Sequence, residues 1–257
     1  MGRLSVTLVA LLYAFPVHAG KLPGGDLQTL HGQESGALWR AVAGANIIYV
    51  GETHDKQTDH TYELFLVRGM IRRGMVFAIG WEMFDQTQQA LLSAFDRGAI
   101  NLHQLFHETG FDSAWAIYSP IYGKILETAR RSGRKNVALN APPGLVRKVA
   151  QDQSLSRQER ALLPRGFTTN QEAYRNFVIL MGQHPGLPAG DLRSFFAAQN
   201  VWDQTMADRI LQFERLQSGT KLVVLTGRGH VASGFGIPFY VGQKEALRQL
   251  ILLPENP

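Results

Sequence analysis

No cysteine occurs anywhere in the 257 residues. That absence excludes disulfide staples, thiolate nucleophiles, iron–sulfur clusters and thiolate zinc sites. It also excludes a lipid-modified N-terminal cysteine, and any bound metal must be held by His, Tyr, Asp or Glu. Long hydrophobic runs are missing too. The apolar stretch "LSVTLVALLYAF" near the N-terminus is well short of the roughly 20 apolar residues that span a bilayer. Nor are basic residues concentrated. No run of five occurs, and the densest patch, "RRSGRK" at 130–135, reads as a solvated helix end. The formal net charge of +5 suits attraction of an anionic ligand and argues against a nucleic-acid partner.

What is present begins with a leader. Arg3, the apolar stretch, Pro16 and "VHA" before Gly20 have the layout of a secretory signal peptide cleaved after Ala19. Residues 1–19 are therefore expected to be removed on export, leaving residues 20–257 as one domain. A composition of 45% hydrophobic and 18% charged residues is enough to bury a sizeable core.

Apolar runs and helical periodicity alternate along the chain. Residues 20–36 are glycine-rich and polar and read as a loose lead-in. Strands are predicted at 46–51, 75–84, 135–142 and 221–230, each a short run rich in apolar residues. Helices are predicted at 59–74 and 87–98, closed by Gly74 and Gly98. Residues 100–133 read as a short helix, a turn at Gly110 and a longer helix ending at Gly133. Residues 144–219 are helical in pattern, with a break at 182–191, and a last helix is placed at about 243–252. The implied fold is α/β: a mostly parallel sheet flanked by helices, with a helical subdomain inserted before the last core strand.

Two strand ends echo one another. Gly51-Glu52-Thr53-His54 follows the first strand and Gly227-Arg228-Gly229-His230 ends the fourth, while Trp81-Glu82 lies in the second. Residues beyond the carboxyl ends of parallel strands converge on one crevice. Glu52, His54, Glu82 and His230 are therefore expected to meet. Two carboxylates and two imidazoles there suit a divalent ion with an activated water, a general acid/base pair, or a polar wall that orients a larger cofactor. A histidine after a strand is more often a satisfied loop residue, but two copies beside a glutamate weigh against that reading.

The ordered set "YVGETHD", the glutamate of "GWEMF", "LNAP", "FFAAQNVWDQTMA" (195–207) and "LTGRGHV" resembles the ChaN family of haem-binding, iron-regulated exported proteins in the Tiki/erythromycin-esterase superfamily. The resemblance covers about residues 45–240. It implies an α/β core with a helical lobe over about 144–219, haem bound between them, a homodimer on haem binding, and a role in haem or iron uptake in the bacterial periplasm with unidentified envelope components. It also implies a tyrosine ligand to the iron with histidine nearby. Phenolate is a hard oxygen donor that suits ferric haem. "WAIYSPIY" (115–122) offers Tyr118 and Tyr122 beside Trp115, Ile117 and Ile121. Tyr118 is the expected ligand, because Tyr122 lies further toward the packing face. His54, His230, Glu52 and Glu82 would form the polar wall and Arg228 would meet a haem propionate, unless it pairs with Glu52 or Glu82. The superfamily also contains hydrolases, so the alternative is a metal-dependent hydrolase in which His54, Glu82 and His230 hold a divalent ion and Glu52 acts as base.

Other polar residues are assigned lesser roles. Asp203, on a stripe with Gln199 and Met206, either orients a site histidine or bonds a neighbouring loop. Asn140 is placed to reach the same crevice. His103 and His107, beside Glu108, read as a surface pair, and His60 and His184 as surface or loop residues.

Overall fold

The computed structural model describes residues 27–31, 36–115, 119–169, 192–232 and 236–254, with a few positions between 171 and 178. The expected leader, Tyr118, Ile117, His184 and the predicted break at 182–191 lie outside the described residues. Among the described residues the strands are β1 (Leu27–His31), β2 (Ile47–Glu52), β3 (Phe77–Asp85), β4 (Asn136–Asn140), β5 (Lys221–Gly227) and β6 (Gln249–Leu253). They form one sheet in the order β1-β6-β2-β5-β3-β4, and every neighbouring pair is parallel.

The strands read as continuous apolar runs because helices cover both faces. On one side lie α1 (Gly36–Gly44), α2 (Gln57–Arg72), α3 (Gln89–Asp96), α4 (Leu102–Thr109), α5 (Phe111–Trp115) and α6 (Ser119–Arg131). Ile48 and Val50, Ile79 and Trp81, and Val223 and Leu225 point into that core. The alternate residues Ile47, Tyr49, Ala78, Leu222 and Val224 point the other way. They meet α9 (Leu192–Leu216) and α10 (Ile237–Gly242). This two-residue alternation is the pleat of a strand buried on both faces. Between β4 and α9 come α7 (Pro143–Ala150) and α8 (Arg157–Ala161), joined by turns, and the regular elements described in the insertion before β5 are helices. No helix among the described residues is long and apolar enough to cross a membrane.

Two sequence expectations are corrected. The lead-in at 20–36 contains β1, which pairs with β6. The helix expected at about 243–252 is replaced by strand β6 at 249–253, while the nearby helix is α10, with Pro238 in its first turn. Leu250 to Leu253 are buried, and Leu250 to Leu252 each lie between β1 and β2 with packing layers above and below. A short run apolar on every side has no helical stripe, and periodicity alone does not separate it from a buried helix. In the segment expected as a helix running to Gly133, α5 and α6 are described and residues 116–118 lie outside the described residues, while Gly110 and Gly133 take left-handed backbone at φ 68° and 69°.

Candidate functional site

Sheet register brings the strand ends together. Glu52 is opposite Gly227 across the β2–β5 pair, and Trp81 is opposite Leu225 across β3–β5. Glu82 therefore arrives beside the last residues of β5. Its Oε2 accepts hydrogen bonds from the Thr226 hydroxyl at 2.6 Å and the Gly227 amide at 2.7 Å. Burial alone would raise the Glu82 carboxyl, but the cationic His230 and His54 and these donors outweigh it and hold it at about 2. Asn140 supports the same point from below, donating to the Glu82 carbonyl at 2.9 Å.

Two imidazoles flank Glu82, each fixed from behind by a carboxylate. His54 Nδ1 lies 2.8 Å from Glu52 Oε1 and His230 Nδ1 lies 2.6 Å from Asp203 Oδ1. Both Nε2 atoms face Glu82 Oε1, at 3.9 Å for His54 and 3.4 Å for His230. A carboxylate behind the ring sets the tautomer and orientation of an imidazole whose other nitrogen does the work. Burial pushes His230 down, yet Glu82 and Asp203 carry it up to about 10. His54 is raised as well, its burial overcome by the hydrogen bond and charge of Glu52. Asp203 thus orients a site histidine, and Gln199 one turn earlier on α9 donates to it at 3.3 Å. Met206 packs in the core instead. Gly227 is there for space: a Cβ on it would lie 2.8 Å from His54 Nε2.

Glu52 is the hub behind this pair. Its Oε1 also accepts the Tyr122 hydroxyl at 2.5 Å, and its Oε2 lies 2.7 Å from His60 Nδ1. His60, expected at the surface or in a loop, is buried, 1% exposed. The signal was its place on α2, where His60, Glu63, Leu64 and Val67 share the buried face at helical spacing. His60 Nε2 donates to the His54 carbonyl at 2.9 Å and Nδ1 faces Glu52 and Glu63, groups that accept. Both ring nitrogens therefore carry protons. Glu52 and Glu63 overcome the burial penalty and raise His60 to about 11. Glu52 is correspondingly lowered, its burial overcome by His54 and His60. Burial and the neighbouring Glu52 charge push Glu63 well up. Glu52, His60 and Glu63 offer donor atoms within 4.8 Å of one another, a set that could hold a metal ion.

The remaining expected residues are placed as follows. Arg228 turns to the Pro254 carbonyl at 3.2 Å and to buried Asp59 at 3.8 Å, instead of to Glu52 or Glu82. Tyr122 is fully buried with its hydroxyl on Glu52. Trp115, at the end of α5, presents a ring edge to His54 with centroids 5.1 Å apart. His103 and His107 are exposed on α4, with His107 4.0 Å from Glu108.

A family model for "Haem-binding uptake, Tiki superfamily, ChaN" matches residues 38–241. The chain belongs to the ChaN family. Among solved structures, ChaN of Campylobacter jejuni, described as binding haem cofacially, superposes with a TM-score of 0.66 at 18% identity, covering 86% of this chain and 85% of that one. A mutant erythromycin esterase EreC in its open conformation superposes at 0.53 with 16% identity, over 84% of this chain and 71% of that one. A Bacillus cereus protein gives 0.50 at 12% identity, over 85% and 67%. At these identities the likenesses concern the fold. None of the curated proteins compared with the chain is a significant match. The match to a haem-binding family model leaves the hydrolase alternative unfavoured.

Proposed function

We propose that this ChaN-family protein binds haem at the mouth formed by the carboxyl ends of β2, β3 and β5, and that it serves haem or iron uptake after export to the bacterial periplasm. Export rests on the leader-like residues 1–19. The observation that carries the haem reading is the contact of Trp115 with His54, because it puts the end of α5, three residues before Tyr118 in the sequence, beside the two-histidine cluster of a haem-family fold.

The residues present fit the ligand. An indole offers an apolar face for a porphyrin, and the His54 side chain, 14% exposed, is the more open of the two imidazoles. Of the two tyrosines in 115–122, Tyr122 is committed to Glu52, which leaves Tyr118 as the oxygen donor to ferric iron. When bound, haem supplies an iron centre that a phenolate ligates well. Glu52 and Asp203 hold the imidazoles in orientation, and Glu82 sits between their Nε2 atoms as the polar floor. Haem binding would be accompanied by homodimer formation, and unidentified envelope components would hand on the cargo.

Titration with ferric haem tests this reading. The wild-type protein is expected to develop a shifted Soret band at saturating stoichiometry, and Tyr118→Phe to lose it. Absence of any shift, with stoichiometric zinc or manganese in the purified protein by elemental analysis, would overturn it in favour of the divalent-ion hydrolase.

A further inference from the structure

The Glu52 carboxylate faces two ways. Its Oε1 accepts the Tyr122 hydroxyl at 2.5 Å and meets His54 Nδ1 of the mouth at 2.8 Å. Its Oε2 turns to α2 and lies 2.7 Å from His60 Nδ1, yet makes no hydrogen bond. Glu63 follows His60 by one turn on the buried face of α2. It brings its Oε2 to 3.3 Å from the same nitrogen, while its Oε1 has no hydrogen-bond partner. Glu52 and His60 are each 1% exposed and Glu63 is 0%. Two buried carboxylate oxygens, one from each glutamate, are thus left bare around one imidazole. Among the described residues no lysine or arginine pairs with either glutamate. A buried charged oxygen without a partner is costly, and a cation between the two would remove that cost.

The contacts around these three residues are those of a ligand set. Donors that each stand about 2.0–2.2 Å from one ion lie about 3–3.5 Å from one another, and Glu52, His60 and Glu63 each offer an atom within 4.8 Å of the others. A metal-binding imidazole gives its second N–H to a carbonyl or carboxylate, and a metal-binding carboxylate is itself hydrogen-bonded. His60 Nε2 donates to the His54 carbonyl at 2.9 Å, and the Tyr122 hydroxyl holds Glu52. One imidazole and two carboxylates without sulfur suit a first-row divalent ion such as zinc or manganese, whereas calcium takes about six to eight oxygens. We infer that Glu52, His60 and Glu63 form a buried site for a divalent ion of this class, behind the mouth. Binding displaces the His60 Nδ1 proton, so the imidazolium described above belongs to the metal-free protein. The site shares no ligand with the set His54, Glu82 and His230, and it does not depend on haem. Through Glu52 the ion holds His54 in place from behind.

The test strips the purified protein with a chelator and titrates it with zinc chloride and with manganese chloride. Wild-type protein is expected to retain about one equivalent of one of them after desalting, and its thermal midpoint to rise by several degrees. Glu63→Gln, its fold checked by circular dichroism, is expected to bind that ion about tenfold or more weakly. Glu82→Gln, at the mouth, is expected to keep it. X-ray absorption of the loaded wild-type protein needs no variant and is expected to show one imidazole among oxygen donors. No retained ion, unchanged affinity in Glu63→Gln, or a spectrum with two imidazoles, which would put the ion between His54 and His230, overturns the assignment. The haem titration of the same protein reads separately: a Soret shift without a retained ion ends this site alone, and a one-imidazole ion without a Soret shift ends the haem reading alone.

Discussion

His60 carries a heavier electrostatic load than its position in the chain suggests. It is an imidazolium between Glu52 and Glu63, with all three nearly inaccessible. Removing one partner of such a group strands the others, which typically costs about 3–5 kcal/mol. His60→Ala should lower stability by that order in urea denaturation, and a neutral result would mean that the network is dispensable. The pH dependence follows from the same groups. His60 and His230 are raised from 6.5 to about 11 and about 10, so their stabilisation is full below pH 6.5 and is lost as pH rises through the folded values. Buried Glu63, raised above 4.5, adds a loss in the same direction. Glu82, lowered from 4.5 to about 2, contributes above pH 4.5 and loses its contribution as pH falls toward 2. Stability measured against pH is therefore expected to peak in mildly acidic solution and to fall on both sides; a maximum at alkaline pH would contradict these assignments. Gly227→Ala makes a third test at this scale. Its Cβ would press on the far end of a side chain, His54 Nε2 at 2.8 Å, so thermal stability should change little while haem affinity drops. Unchanged affinity would mean that the imidazole position is unimportant.

At the scale of elements, legibility tracked pattern. β2, β3, β4 and β5 were readable because each is a compact apolar run, and α2 and α3 because apolar spacing ends at Gly74 and Gly98, both left-handed. β6 was not, since Leu250–Leu253 carries no periodicity, and β1 was not, since "LQTLH" resembles a polar lead-in. His60 was misplaced although its helix was recognised: polar residues such as Asp59, His60 and Glu63 near the start of a helix look exposed until the partner from β2, Glu52, is in view. The α1–α2 crossing gives a prediction of its own. A Cβ at Gly69 would come 2.1 Å from the Trp39 ring, so Gly69→Ala must move α1. Overpacking of this kind typically costs about 1–3 kcal/mol, readable as a lower urea midpoint; an unchanged midpoint would show that α1 yields freely.

At the scale of the whole molecule, strand order does what no local segment can. β5 comes late in the chain yet lies between β2 and β3, and this places Gly227 and Thr226 against Glu82 and leaves the two histidines on either side of it. The echoed Gly-x-x-His pattern made that convergence foreseeable from the amino-acid order, but the carboxylates behind the rings were only half visible: Asp203 was weighed as an orienting residue, while the Glu52–His60–Tyr122 hub depends on contacts between residues far apart in the chain. The account stands on haem meeting Tyr118 at this mouth. Electron paramagnetic resonance of ferric haem-loaded protein reports the ligand directly. A high-spin phenolate-type signal in the wild type that disappears in Tyr118→Phe is the predicted result; a signal unaltered by that substitution would contradict it.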